Sequence, residues 1–521
     1  MAPEPSAQHE PAPLRRQHLR STLFAALLAE IVILTLLGHN RLTDWDEGIY
    51  AQVSREMLQS GWLVPHWNFQ TWLEKPPLTF WITSLFFKLF GISEFTARLG
   101  SALSAIAIVA VLHAWLARTR DSLTAWLSTV ILLSTFGFLH VARVGETDTL
   151  LSLGSLLALI GLADLLHQPT FRATSGWYLF WTGFAIALMS KGAASGALLI
   201  SLFLLFVLDP NLRRRLRAPF FLGLLLFLAL TLPWHLYLLH RFGQTFVSQY
   251  LDLHVLGRIT HQYEGHLTPW WYYLRVILFS APPWVLLYPA ALYATFRVPN
   301  LHYLRPFAVF AVVQVVAFSC VQTRLPHYIA PAYAPFAALV AIWIANRVHA
   351  LNLAHRTSIF RLSLAAATAV LWILTALATA HARSQLHSPT LPNGNITPNN
   401  REEIAILKQV FRNPSPLVAS TPGPLLDWRP GTFNPIPSVI FYADRPVPQV
   451  ILQPLPPNTP TDIYAYNPIP LAQSLADLQP RLILIARSLV PQIPANYAFQ
   501  PIAASPTLEI GRISKQIRPT N

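Results

Sequence analysis

The residues able to do chemistry fall into a few short clusters in a chain that spends few charges elsewhere. Asp44-Trp45-Asp46-Glu47-Gly48-Ile49-Tyr50-Ala51 sets acids side by side; a carboxylate held in place can take a proton from a hydroxyl or bind a cation. The plainer alternative is helix capping by Asp44 or Asp46. In Trp72-Leu73-Glu74-Lys75-Pro76-Pro77-Leu78 an acid and a base precede a proline pair that ends one element and starts the next. Lys75 there can meet a phosphate as a point charge, or lie along the membrane surface beside Glu74. Asp148, within Ala142-Arg143-Val144-Gly145-Glu146-Thr147-Asp148, either caps the helix that follows or joins the acids of the first cluster.

Three further clusters are cationic or mixed. Ser190-Lys191-Gly192 puts a lysine between two apolar runs, for anchoring or for an anion. The stretch from Arg241 to Trp271 carries Asp252, His254, Arg258, His261, Glu264 and His266; histidines with carboxylates can ligate a metal, or simply face solvent. Arg324 and His327 crown a helix end in Gln322-Thr323-Arg324-Leu325-Pro326-His327-Tyr328, where arginine suits a phosphate bidentately and anchoring is again the alternative.

These clusters need elements to hold them, and composition says which. At ~150 residues per domain, 521 residues would make roughly three soluble domains, but 53% of the residues are hydrophobic and only 12% charged. The chain reads as an integral membrane protein. Its net charge of +14 first suggests nucleic acid. The basic residues instead sit in short groups between apolar runs of spanning length, where they set orientation and imply no nucleic-acid partner. Cys320 is the single cysteine, which excludes an internal disulfide and a cysteine metal cluster.

Apolar stretches long enough for ~30 Å of hydrocarbon lie near 23–38, 97–117, 122–142, 149–166, 177–190, 192–208, 218–240, 270–296, 306–321, 327–346 and 359–380. The expectation is an all-α polytopic membrane protein with about 11 transmembrane helices and up to about 13, since the short touching pair at 177–190 and 192–208 leaves the count open by one or two and Pro77 to Phe90 reads as a further, partly inserted helix. With a cytoplasmic N-terminal tail at 1–21, the inner loops collect Arg118, Arg120, Arg172, Arg213, Arg214, Arg215, Arg217, Arg297, Arg305, Arg347 and Arg356, as the positive-inside rule requires. The acid clusters then face outward.

The transmembrane domain is expected over 22–383. Its first outer loop, 39–96, is rich in tryptophan and suits helices lying in the interface. After about 383 proline becomes dense. Short β-like runs appear at Leu417-Val418-Ala419, Ser438-Val439-Ile440-Phe441-Tyr442 and Arg481-Leu482-Ile483-Leu484-Ile485-Ala486, with a helix at Arg401 to Phe411. Residues 384–521 therefore read as a small soluble α/β domain on the periplasmic or extracellular side.

The order Asp46-Glu47-Gly48-Ile49-Tyr50-Ala51, Glu74-Lys75-Pro76-Pro77-Leu78, Thr147-Asp148-Thr149-Leu150-Leu151, Ser190-Lys191-Gly192 and Leu325-Pro326-His327-Tyr328 resembles the GT-C membrane glycosyltransferases, glycosyltransferase family 39, over about residues 20 to 345. Within them it is similar to the branch holding protein O-mannosyltransferases and the lipid A aminoarabinose transferase. The resemblance implies a GT-C fold in a bacterial cell (inner) membrane, transferring sugar from a polyprenyl-phosphate-linked donor to a lipid, glycan or protein acceptor on the outer face. It makes Asp46 the general base, with inversion at the anomeric carbon following from direct attack. Glu47 would position the acceptor or Asp46, and Asp148 would support the acceptor side. Lys75, Arg258 and Arg324 would contact the lipid phosphate, with Tyr50, Lys191 and His327 completing the substrate site. No cofactor is required by this reading; the aminoarabinose branch implies a divalent metal between Glu74 and His254, although Asp252-Leu253-His254 departs from the acid-His pair common there.

Two rivals belong to other classes. A secondary transporter or lipid flippase would place charges near the bilayer midplane, often in repeated halves, and Glu30 is the charge to test. A non-catalytic scaffold would bind a partner through the outer domain and tolerate loss of Asp46 and Asp148.

Overall fold

The structure, a computed structural model, describes residues 12–43, 45–167, 175–260, 268–350, 400–429, 437–452 and 469–516. The span expected near 359–380, Asp44 and the start of the C-terminal domain lie outside the described residues. In hydrocarbon each backbone N–H and C=O must be satisfied within its own segment, so apolar runs of this length become helices. Among the described residues seven helical runs are long and apolar enough to cross a bilayer, or nine if each of two bent pairs counts as one span.

In chain order the elements that build the site are α1 (Ala12–Leu34), α2 (Asp46–Ser60), α3 (Leu78–Phe90), α4 (Glu94–Thr119), α5 (Ser122–Ser134), α6 (Phe136–Ala142), α7 (Asp148–His167), α8 (Ser175–Lys191) and α9 (Gly196–Leu208). They continue with α10 (Ala218–Phe242), α11 (Arg305–Cys320) and α12 (Tyr333–Ala350). α2 and α3 form the first outer loop; α3, with 13 residues, spans about 20 Å and is too short to cross. Two expected spans are not straight. The 122–142 run bends by 72° between α5 and α6, and the 270–296 run bends by 117° near Pro282-Pro283, where two backbone donors are missing.

The paired spans expected at 177–190 and 192–208 follow one another as an unbroken helical run from Ser175 to Leu208. Yet Trp177 near its start packs on Phe206 near its end, ring centroids 6.3 Å apart. A straight helix would hold those residues roughly 43 Å apart. The run therefore doubles back at the 3₁₀ turn Gly192–Ser195, where Gly192 takes a φ of 58° that suits glycine. α8 and α9 are antiparallel legs of a hairpin whose tip carries Lys191.

α7 and α8 meet backbone to backbone. A Cβ on Gly154 would lie 2.5 Å from the Gly183 carbonyl oxygen, and one on Gly161 would lie 2.4 Å from that of Gly176. Small residues permit such an approach where lipid offers no hydrophobic drive to bring helices together. Carried toward the start of α7, the same antiparallel register brings Asp148 to the last turn of α8. The opposite end of the bundle holds a second group of arginines: Arg305 pairs with Asp209 at 3.2 Å, and Trp177 donates to the Arg215 carbonyl at 2.9 Å.

The C-terminal region contributes α13 (Asn400–Phe411), α14 (Pro437–Ala443) and a four-stranded sheet of β1 (Leu425–Trp428), β2 (Arg481–Ala486), β3 (Tyr497–Ala504) and β4 (Leu508–Lys515). The strand order is β1-β2-β4-β3, with β1 parallel to β2 and the other pairs antiparallel. The helix and the strand read at 401–411 and 481–486 are present. The other two β-like runs are helical: Leu417 to Ala419 lies in a turn started by Pro416 and capped by Ser415, whose hydroxyl accepts from the Val418 N–H. Ser438 to Tyr442 forms α14, its Val439, Ile440 and Phe441 buried; burial overrides the strand preference of β-branched and aromatic residues.

α14 and α13 share one hydrophobic core with α2. Ile49, Tyr50, Val53 and Met57 pack in the same cluster as Ile406, Leu407, Val439 and Ile440, with Leu482 and Leu484 behind them. Polar ties seal the join: Lys408 Nζ and Tyr442 Oη both donate to Glu94, and Arg55 donates to the Phe441 carbonyl at 2.7 Å. The C-terminal unit is thus built onto the first outer loop.

Candidate active site

The first turn of α2 is set by a buried ion pair. Glu47, 1% exposed, accepts from Arg98 Nε at 2.7 Å and Nη2 at 3.0 Å, from the Gly145 N–H at 2.9 Å and from the Thr43 N–H at 2.7 Å. Arg98, in α4, also donates to the carbonyls of Leu37, Asn40 and Arg41. One bidentate pair therefore joins the end of α1, the start of α2, α4 and the α6–α7 turn. Just before it, Trp45 holds a φ of 65°, a strained value for a residue with a side chain. Trp45 occupies the N-cap position of α2 without a side-chain cap bond, so Asp46 opens the helix and does not cap it.

Asp46 points toward a group of ionisable residues. Its Oδ2 lies 3.9 Å from His327 Nε2, while His327 Nδ1 lies 3.8 Å from Glu146 Oε2. Asp148 is beside them, held by Lys191, whose Nζ donates to both carboxylate oxygens at 2.6 and 2.5 Å. Lys191 also sits over the Tyr328 ring at 4.9 Å. Burial, and then the charges of Asp46 and Asp148, hold the Glu146 carboxyl well above the usual carboxylate range. Glu146, Asp148 and His327 bring ligating atoms within 4.8 Å of one another. The ammonium already on Asp148 neutralises that carboxylate, so we do not identify the trio as a metal centre.

Next to this group opens a cavity of about 390 Å³. Glu74, Lys75, Asp148, Lys191, Tyr250 and Tyr328 give it a polar end. Gly192, Ala193, Ala194, Gly196 and Ala197 at the α8–α9 tip, with Ile200 and Phe318, line the rest. Lys75 Nζ rests 5.1 Å above the Tyr50 ring, a cation–π contact that orients it.

The expected site residues divide in three. Asp46, Asp148, Lys191, Lys75, Glu74 and His327 gather at the same end of the bundle; Asp148, Lys191, Lys75 and Glu74 line the cavity, and Asp46 and His327 do not. Glu47, Tyr50 and Arg324 lie near but face elsewhere. Glu47 is committed to Arg98, which favours positioning over acceptor contact; Tyr50, 3% exposed, lies beneath Lys75. Arg324 is 6% exposed and donates to the carbonyls of Ser319 at 3.1 Å and Thr268 at 2.5 Å, so the phosphate contact expected of it gives way to a staple between two outer segments. His254 and Arg258 have side chains outside the described residues, as do His261, Glu264 and His266 altogether. Sequence reasoning gave no role to Arg98 or Glu146. Arg98 carried a usable signal, an arginine at the head of an apolar span that must find a partner; Glu146 stands two positions before Asp148.

Several known proteins are similar to this chain. Residues 74–237 match the family described as dolichyl-phosphate-mannose-protein mannosyltransferase. An undecaprenyl phosphate-alpha-4-amino-4-deoxy-L-arabinose arabinosyl transferase of Yersinia pestis is 31% identical over 330 residues, 61% of this chain and 59% of that protein. A protein of the same name from Pectobacterium atrosepticum is 29% identical over 63% of this chain and 59% of its own length. The chain thus spans just under three fifths of the length of these relatives. Among solved structures, ArnT from Cupriavidus metallidurans bound to undecaprenyl phosphate superposes with a TM-score of 0.73 at 20% identity, covering 94% of this chain and 97% of the other. The oligosaccharyltransferase AglB from Archaeoglobus fulgidus gives 0.52 at 13% identity, over 83% and 64%. The fold is therefore that of a multi-pass GT-C membrane protein.

Proposed function

We propose that this chain is an integral membrane glycosyltransferase that moves a sugar, in the relatives' pattern a 4-amino-4-deoxy-arabinose, from an undecaprenyl-phosphate-type donor to an acceptor hydroxyl. The observation that carries the reading is the cavity, with Lys75 and Lys191 at its polar end beside the Asp46 group and an apolar remainder suited to an isoprenoid. In this reading Asp46 takes the hydroxyl proton as the acceptor oxygen attacks the anomeric carbon. The bond to the lipid phosphate breaks, its electron pair leaves with the phosphate, and Lys75 meets the charge that develops there. Direct displacement inverts the anomeric configuration.

The site would face the periplasm, with the arginine-rich end in the cytoplasm, the N-terminus inside and the C-terminal unit outside. Acceptors of the lipid, glycan and protein classes all offer the hydroxyl this needs. The metal pair implied by the resemblance, Glu74 with His254, belongs to the same proposal; equal metal content in the parent chain and in Glu74→Ala removes it. Asp46→Asn, assayed in vesicles with radiolabelled donor, should lose transfer by about 10²–10⁴-fold while still binding the lipid. Transfer at the parent rate would refute the base assignment. The transporter rival is weakened by Glu30, which is exposed on α1 and does not face the bundle interior, where a transport carboxylate belongs.

A further inference from the structure

We propose that Glu146 is the uncharged, hydrogen-donating end of a Glu146–His327–Asp46 chain that sets the imidazole tautomer and keeps Asp46 ionised for its proton. The inference rests on Asp46 being the base, as proposed above. Its geometric ground is that His327 is held between two carboxyl groups, one at each ring nitrogen, at 3.8 and 3.9 Å. Both separations exceed a hydrogen bond, and sites of this kind tighten when substrate closes them.

The charge balance decides which carboxyl is neutral. Facing Glu146 are Asp46 and Glu47 from α2, Asp148 from α7, Lys191 from α8 and His327 from the turn before α12; Lys75 acts on His327 from the loop before α3. The nearby cations are committed: Arg98 to Glu47, Lys191 to Asp148, and Lys75 to the Tyr50 face. Among the described residues no lysine or arginine pairs with Glu146. Several carboxylates this close cannot all ionise, and Glu146, only 13% exposed and without a cation among the described residues, keeps its proton. The burial and neighbouring charges that push the Glu146 carboxyl upward act in the same direction.

A protonated Glu146 donates to Nδ1. Nδ1 then has no proton of its own, so Nε2 carries the ring hydrogen and directs it at Asp46 Oδ2. That hydrogen favours the ionised form of Asp46. Glu146 and His327 are positioning residues here. The transferred proton ends on Asp46, and no proton passes along the chain during the step.

The test is transfer kinetics in vesicles from about pH 6 to about pH 10 for the parent, Glu146→Gln, Glu146→Leu and Asp46→Asn, with thermal unfolding of each as a check on folding. A side-chain amide donates as the acid does, so Glu146→Gln should recover most of the turnover, losing about threefold to tenfold, while Glu146→Leu loses about 10²-fold in kcat with KM for donor unchanged. The parent should lose kcat at alkaline pH as Glu146 ionises and can no longer donate; Glu146→Gln should lack that limb. Glu146→Gln falling as far as Glu146→Leu, or keeping the parent's alkaline limb, overturns the chain. Should Glu146→Leu fail to fold, the pH profile of Glu146→Gln decides alone. Full activity in Asp46→Asn overturns the base reading and this inference together, whereas an inactive Asp46→Asn beside an inactive Glu146→Gln overturns only this inference.

Discussion

Glu47 and Glu56 both turn inward from α2, and their surroundings treat them in opposite ways. Glu47 has a guanidinium against it. Glu56, 3% exposed, accepts from Gln52 Nε2 at 2.7 Å and from the Phe69 N–H at 2.8 Å, and burial raises its pKa from 4.5 to about 7. Because the folded value lies above the unfolded one, the folded state binds the extra proton between the two. Stability is then greatest below about pH 4.5, falls as the pH rises toward 7, and levels off beyond. Thermal unfolding in detergent should show a midpoint that drops between those limits in the parent and drops less in Glu56→Gln, whose amide mimics the protonated acid. A parallel slope in the two proteins would reject this account. At this scale residue type and local spacing marked Asp46, Glu74-Lys75, Asp148 and Lys191. What each touches was not legible, because Arg98 is 51 positions from Glu47 and His327 is 281 from Asp46.

The elements matter through how closely they approach. Lys191 reaches Asp148 because the facing glycines of α7 and α8 let the two backbones touch, so the ion pair depends on residues with no side chain at all. Gly183→Leu should force the helices apart, costing about 1–3 kcal/mol of stability as overpacking does, and should break the Lys191–Asp148 pair with a fall in transfer. Unchanged stability and activity would show that the interface can absorb the side chain. Apolar run length announced the spans, and the 3₁₀ turn at Gly192 falls between the two runs read at 177–190 and 192–208. Bends at Thr135 and near Pro282 were not foreseen, since hydropathy counts residues and ignores direction. α14 was misread for a related reason: Val439 to Tyr442 favours a strand locally, and only its seat against α2 decides otherwise.

Taken whole, the molecule is less divisible than its change of composition after about 383 suggests. Pro437 sits so close to α2 that a Cβ on Gly48 would meet it at 2.9 Å. The C-terminal unit thus buttresses the very turn that carries Asp46. A chain ended after Ala350 should leave Ile49, Val53 and Met57 without cover, and limited proteolysis should cut between residues 46 and 77 where the full chain resists. Equal resistance would restore the picture of a separable domain. On the function proposed above, the whole molecule also sets how a lipid donor arrives. Ile200 lines the cavity, and Leu199, Ile200 and Phe203 show their side chains on the outer face of α9, so the chamber wall continues as bilayer-facing surface. A guest entering there searches a plane instead of a volume. For the glycosyltransferase proposed above, the encounter frequency then follows the mole fraction of donor among its fellow lipids, and making more membrane slows transfer without touching either protein or donor.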